Sequence, residues 1–423
     1  MTSKGVQIAQ CVQQQYDRLP KTGKPQVHGP SKTGAAGKVQ WTILAGIIQE
    51  QEDKDPSKRL KCVSLGVGLK CLPGERVPKT GDCILDSHAE VLAVRAWRRY
   101  LWQEIKACIE GKASIFRQTT QKDPEELGHI SFKEPQPRFH LYVSQAPWDD
   151  IGGDASVETL AEEQDEASRA AYEGYGGVKR PEVEDEEGDR KRRRVHEDGQ
   201  ESRERIRGRN HYARTGALRT KPGRVDSSPT HSMSCSDKMA IWHVCGAQGA
   251  LLSLVHPSPI RLSSVTIGER LREESVRRAI HLRLVPLLPE RDMPLPSSPP
   301  TIQSAGASWV DGLEERRLKY PDYTPIPLPT ALYWVLGDNK AQVLGPQGRK
   351  QGAAPLRGTK VYPAKARPSV CKAAFAQLYL ELKQASKAYQ DQKSLVKQGP
   401  FRGWLGCGAL ANDFPVGNED EEN

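Results

Sequence analysis

The tripeptide His88-Ala89-Glu90, inside CILDSHAEVLAVRAWRRYL (83–101), puts an imidazole and a carboxylate two residues apart. An imidazole can ligate a metal ion that acidifies water, and a carboxylate that is not a ligand can then carry protons. Residues two apart do not share a face of a regular helix, so such a pair cooperates only in a helix's first turn. There the helix N-terminus also favours negative charge. The same letters have a purely structural reading. Ser87 and Glu90 have the spacing of a capping box, ahead of an apolar stripe of Val91, Leu92, Val94 and Trp97. A second candidate is Cys235 in HSMSCSDKMAIW, at the start of a predicted helix, where a thiolate is stabilised. A lone Cys at such a place is also a common structural residue.

The chain around these residues is 423 long, with room for one large domain or two. Its hydrophobic share, 37%, is below the globular norm and implies a substantial loop or disordered fraction. Lys and Arg number 62 against 53 Asp and Glu, a formal net charge of +9. That excess suits a polyanionic partner, most often nucleic acid, although a merely basic surface is the alternative. No apolar run is long enough to cross a membrane, and MTSKGVQIAQCVQQQYDRLPKTGK is too polar for a signal peptide. Nine scattered cysteines, an odd number, read as reduced thiols or metal ligands.

The elements that must position these residues follow from periodicity. A helix is predicted over about 5–18. KVQWTILAGIIQEQ and KRLKCVSLGVGLKCL read as two strands joined by EDKDPS, and RFHLYVSQ (138–145) as another. Strand, helix and strand in this order predict an α/β sheet packed by helices. Between about 157 and 215 the acidic blocks EEQDEAS and EVEDEEGD and the basic RKRRRV carry almost no large apolar residues. This stretch is expected to be a disordered insertion within a single domain spanning 1–423. Its basic clusters, Lys179-Arg180 and Arg190 to Arg194, read either as a bipartite nuclear localisation signal or as a solvated charge run. Localisation is accordingly expected in the nucleus, the cytoplasm or both. Beyond the insertion, CSDKMAIWHVC and SVRRAIHLRL read as helices, IRLSSVTIG as a strand, and DMPLPSSPPTIQS as a Pro-rich loop. ALYWVLGDNKAQVLGPQG reads as a hairpin turning at Gly337-Asp338-Asn339, and two basic helices follow Pro368.

Longer stretches make the chain recognisable. WTILAGI, VSLGVGLKCLPG, LDSHAEVLAVRAWRRYL, LYVSQAP with GGDAS, ALRTKPGR, SMSCSDKMA with GAQGALLS, IRLSSVTIG and VCKAAF stand in the order found in one family. The chain resembles the adenosine-to-inosine RNA-editing deaminases, which act on tRNA and double-stranded RNA. The resemblance implies a cytidine-deaminase-like mixed sheet packed by helices, with a C-terminal helical extension. It also implies hydrolytic deamination of adenosine, with tRNA as the partner and no DNA expected. No separate double-stranded-RNA-binding domain is recognisable, which favours tRNA, and the adenosine just 3′ of the anticodon in alanine tRNA is the expected target.

Carried over by position, His88 and Cys235 would be zinc ligands and Glu90 the proton shuttle. The family's other zinc Cys belongs to a Pro-Cys-Gly-Asp-Ala-Ser motif. Here Pro147 is followed by Trp148-Asp149-Asp150-Ile151-Gly152 before Gly153-Asp154-Ala155-Ser156, and that Cys is absent. Three accounts stand open: a misplaced splice junction, substitution by Asp149 or Asp150, or loss of catalysis with RNA binding kept. Relatives also enclose inositol hexakisphosphate. The matching positions are Lys70, Arg95, Lys238, Lys372, Tyr379, Lys383, Tyr389, Lys393 and Trp404, with Asp86 and Lys221 as a polar relay towards the zinc. Ile241 stands where double-stranded-RNA editors have Arg. So many cations meeting in one interior call for a polyanion, while a solvated RNA-binding helix face is the alternative. Arg219, Lys221 and Arg224, in the basic loop ALRTKPGRVDSSP, are the expected contacts to RNA phosphates.

Overall fold

The computed structural model describes residues 2–30, 36–52, 55, 59–118, 130–146, 206–207, 217–221, 228–285, 296–357 and 362–382. Nearly all of the charged insertion, and with it both basic clusters, lies outside these residues. So do the second C-terminal helix and the site residues Arg224, Lys383, Tyr389, Lys393 and Trp404.

The helices are α1 Lys4–Asp17, α2 Ala89–Ile109, α3 Cys235–Cys245, α4 Ala250–Ser253, α5 Glu273–Arg277, α6 Leu313–Lys319 and α7 Lys372–Leu382. The strands in chain order are β1 Val27–His28, β2 Lys38–Trp41, β3 Leu44–Glu50, β4 Leu60–Val67, β5 Phe116–Gln118, β6 Ile130–Phe132 and β7 Arg138–Gln145. They continue with β8 Ile206–Arg207, β9 Arg219–Thr220, β10 Leu262–Glu269, β11 Thr301–Ser304, β12 Thr324–Pro327, β13 Ala331–Val335 and β14 Gln342–Leu344. Seven of them form one mixed sheet in the order β11-β10-β7-β3-β4-β13-β14. The β11, β10 and β7 pairings are parallel and the others antiparallel. A separate small sheet runs β1-β2-β12. This is the α/β architecture expected.

Strands β3 and β4 are buried along nearly their whole length because both sheet faces are covered. One face packs on α2, whose Trp97 is fully buried and meets Phe139 edge-on at 5.1 Å. The other packs on α1 through Ile8, Val12 and Tyr16, with Tyr16 against Trp309 at 5.2 Å. The Gly-Val-Gly run closing β4 seats the turn that enters α2. A Cβ on Gly66 would lie 2.5 Å from the Ala89 carbonyl and 2.6 Å from Leu92 Cβ. Ala89 N–H in turn donates to the Gly68 carbonyl at 3.0 Å. Glycine lets the start of α2 touch the strand backbone.

Four local expectations differ from the structure. KVQWTILAGIIQEQ is two strands in two sheets, broken where the Thr42 N–H turns to the Asp311 carbonyl at 3.0 Å. TIQS is edge strand β11, paired with Ser264 to Ile267, a register no local pattern encodes. SVRRAIHLRL changes from α-helix to a π-helical turn at Arg278. The capping box does not form either. His88 is the N-cap residue of α2 and its side chain caps nothing; Asp86 Oδ1 accepts the His88 backbone N–H at 3.1 Å instead.

Candidate active site

His88 is 5% exposed, with extended backbone at the entrance to α2. Its Nδ1 lies 2.8 Å from Asp86 Oδ1, which assigns the proton to Nδ1 and leaves the Nε2 lone pair free. Nε2 is buried and has no hydrogen-bond partner among the described residues. An imidazole oriented from behind by a carboxylate, with its other nitrogen unpaired, is the arrangement of a metal ligand. Against burial and Lys221, Cys71 and Asp86 push the imidazole pKa up to about 10. A proton added at Nε2 would find no acceptor there, and a metal ion competes with it for the same lone pair.

Glu90, in the first turn of α2, is 3% exposed. Cys235 is fully buried in the first turn of α3, where Ser234 caps the helix by accepting from Asp237 N–H. Burial and then the Glu90 carboxylate hold the Cys235 thiol well above its ordinary pKa, although Lys221 and Lys238 pull it down. Helix position alone therefore does not make it a thiolate; the cations and a metal must do so.

Lys221 links this thiol to Asp86. Its Nζ is 2.8 Å from Cys235 Sγ and 2.8 Å from Asp86 Oδ2, with 1% of the residue exposed. Asp86 Oδ2 also accepts from Ser232 Oγ at 2.6 Å and from Lys238 Nζ. Burial would raise the Asp86 pKa, but Lys221 and Lys238 hold it well below the usual carboxylate range. Asp86 in turn keeps Lys221 charged despite burial. A buried Lys221 and a half-buried Lys238 on one carboxylate are tolerable only while that carboxylate stays ionised.

Lys238 also faces a cavity of about 170 Å³, lined with Asp86, Arg95, His231 and Lys372 among others. Arg95 is fixed by donating to the Val370 carbonyl at 2.7 Å, with Phe375 beneath its guanidinium at 5.5 Å. Arg95, Lys238 and Lys372 thus converge from α2, α3 and α7. Lys70 is exposed and does not line this cavity, nor does the half-buried Tyr379. Arg219 is a correction: it is fully buried, its backbone N–H bound to Asp237 at 2.9 Å, so its side chain is not presented to RNA phosphates. Lys221 is equally withdrawn into the relay. Ile241 packs against the core instead of facing the cavity.

Two residues of the site were not singled out from the sequence. Ser232 belongs to the Asp86 cluster. Cys71 pairs with Asp86 in an isolated β-bridge and brings its Sγ to 3.5 Å from His88 Nδ1. The ligand atoms of Cys71, Asp86 and His88 lie within 4.8 Å of one another, so the described residues can hold a metal. The unpaired Nε2 is the His88 atom a zinc ion could take; Cys235, whose Sγ Lys221 holds at 2.8 Å, is not in that group. Asp149, Asp150 and the rest of the stretch replacing the third donor lie outside the described residues.

Residues 64–406 match the model of the adenosine-deaminase (editase) domain. The tRNA-specific adenosine deaminase 1 of Drosophila melanogaster is 34% identical over 285 residues, covering 66% of this chain and 58% of that protein. The chain therefore spans less than two thirds of that relative's length. The Schizosaccharomyces pombe protein of the same name is 30% identical over 265 residues, 62% of this chain and 57% of its own. The double-stranded RNA-specific editase Adar of Drosophila is 27% identical over 324 residues, 75% of this chain and 41% of its own. With the match running from β4 past the end of α7 and through every residue of the buried cluster, the chain belongs to the adenosine-deaminase (editase) family.

Proposed function

We propose that this protein is a zinc-dependent deaminase that converts adenosine to inosine in tRNA by hydrolysis. The observation that carries the proposal is the buried His88, with Nδ1 bound to Asp86 and Nε2 unpaired, next to a buried non-ligand Glu90. Zinc held by His88 and Cys235 would supply the acidity that turns water into a nucleophile at neutral pH. Glu90 takes the proton from the attacking water as the C6–O bond forms. It passes that proton to N1 of the purine ring, then takes the proton of the new C6 hydroxyl and gives it to the amine, so that the C6–N bond breaks as the C6 carbonyl forms and ammonia leaves. Asp86 fixes the His88 ring, and Lys221 offsets the negative charge that Cys235 brings.

The relatives' names support tRNA as the substrate, and the adenosine 3′-adjacent to the anticodon of alanine tRNA is the proposed target. Arg95, Lys238 and Lys372 support inositol hexakisphosphate as the enclosed polyanion, with Lys383, Tyr389, Lys393 and Trp404 proposed to complete its enclosure. We propose one domain throughout, interrupted by the charged insertion, in a protein of the nucleus, the cytoplasm or both.

The test is inosine formation in an anticodon stem-loop, read by mass spectrometry of digested RNA. In the chain with one Cys in place of Trp148 to Gly152, Glu90→Ala should abolish it and leave the fold intact; an equal yield with and without Glu90 refutes the assignment. A second reading, RNA binding without catalysis, is favoured by one observation only, Trp148 to Gly152 in place of the zinc Cys. Sequencing mature transcripts across codons 147–153 decides between them, since Pro-Cys-Gly there restores the enzyme.

A further inference from the structure

The small sheet and α6 carry a surface that the deamination chemistry does not use. Tyr320 ends α6, and Tyr323 follows one turn later, their rings 5.6 Å apart and tilted by 57°. Both are half-buried. Tyr323 lies against the backbone of Gly37, where a Cβ would come within 2.4 Å of the ring, so the tyrosine is held rigidly. Lys319 Nζ stands 5.8 Å from the centre of the Tyr320 ring and is exposed. Beside them, His28, Lys38 and Thr324 are paired across β1, β2 and β12 and form one exposed row. Asp322 is the only acid between Tyr320 and Thr324.

The place of this surface matters as much as its composition. Arg270, just past β10, is ion-paired with Glu314 in the first turn of α6. The Glu269 carbonyl accepts from Ala146 N–H at 3.1 Å, and Ala146 directly precedes the stretch where the family carries its third zinc ligand. The seven residues of α6 rise about 1.5 Å each, so the tyrosines lie one helix length, roughly 10 Å, from the Glu314 end that Arg270 holds. Strands β1 and β2 precede residue 64, where the family match begins.

Fixed aromatic faces among cations suit unpaired bases, since every base has a stackable face and a phosphate beside it. We infer that Tyr320 and Tyr323, with Lys319 and Lys38, form a stacking platform for loop nucleotides of the RNA substrate, which rests on the RNA reading proposed above. The test is fluorescence anisotropy with a labelled anticodon stem-loop and with a fully paired duplex of equal length. The double variant Tyr320→Ala/Tyr323→Ala should bind the stem-loop about tenfold more weakly and the duplex as the parent does. Tyr320→Phe/Tyr323→Phe should bind both normally. Lys319→Glu, a surface change that leaves the fold alone, should weaken the stem-loop and flatten its salt dependence. Equal losses on both RNAs, or no loss on the stem-loop, overturn the platform. Inosine yield is read separately, in the chain with one Cys in place of Trp148 to Gly152: stem-loop binding that needs the tyrosines but yields no inosine there refutes the deaminase reading and leaves the platform standing.

Discussion

One oxygen of Asp86, Oδ1, meets His88 twice, at Nδ1 (2.8 Å) and at the backbone N–H (3.1 Å). It therefore sets the ring tautomer and the entry of α2 together, while Oδ2 serves Lys221, Lys238 and Ser232. Loss of such an outer carboxylate typically lowers metal affinity on the order of 10–100-fold. In the chain carrying a single Cys in place of Trp148 to Gly152, Asp86→Asn should show a drop of that size. Competition with a chromogenic chelator measures it, and an affinity within twofold of the same Cys-restored chain with Asp86 retained would deny Asp86 this role.

The chain with its own Trp148 to Gly152 should hold zinc weakly, because two protein donors do not make a closed or catalytic site. Replacing those five residues by one Cys should restore metal and activity together. Elemental analysis after gel filtration is the measurement. Tight one-to-one zinc in the unsubstituted protein would mean that another side chain, such as Asp149, Asp150 or Cys71, completes the site.

Lys372 lines the cavity with Arg95 and Lys238. If the cavity encloses the proposed inositol hexakisphosphate, Lys372→Ala should leave it one partner short and lower the melting temperature of the whole domain, beyond any effect on tRNA affinity. Protein from cells unable to make inositol hexakisphosphate should be insoluble or inactive. If it is soluble, active and melts unchanged, these cations serve RNA.

Glu269 gives stability a pH dependence. Burial, and then the neighbouring Glu314 carboxylate, push it up to about 7, against about 4.3 in an unfolded chain. Between those values the folded state binds more protons than the unfolded one, so stability falls as pH rises through the window. Glu269→Gln removes that penalty. It should raise the melting temperature by a few degrees at pH 8 and by less at pH 5. Equal shifts at the two pH values would mean that Glu269 titrates normally.

How much of this could be read from the sequence depended on sequence separation. His88 and Glu90 were legible because their chemistry needs short spacing, and the long motifs around them fixed the family. Asp86, Lys221 and Lys238 could be named from motifs, but their meeting spans 135 and 152 residues and depends on the sheet. Cys71 and Ser232 stood in quoted motifs without a role, since nothing local predicts a β-bridge to Asp86. Arg219 misled for the opposite reason: a basic loop suggests exposure, whereas its arginine is drawn inward beside Asp237. Helix α6 had usable signals, acids in its first turn and bases in its last.

Strand β3 lies between β7 and β4 at the middle of the sheet, yet it precedes residue 64. The matched family domain and the folding unit therefore have different starting points. A protein trimmed to begin at residue 64 would lose the strand that joins the two halves of the sheet. The open edges of β7 and β4, both strongly apolar, would then be ready templates for self-association. Such a trimmed protein should collect in inclusion bodies whatever the state of its zinc ligands, so its inactivity would say nothing about catalysis.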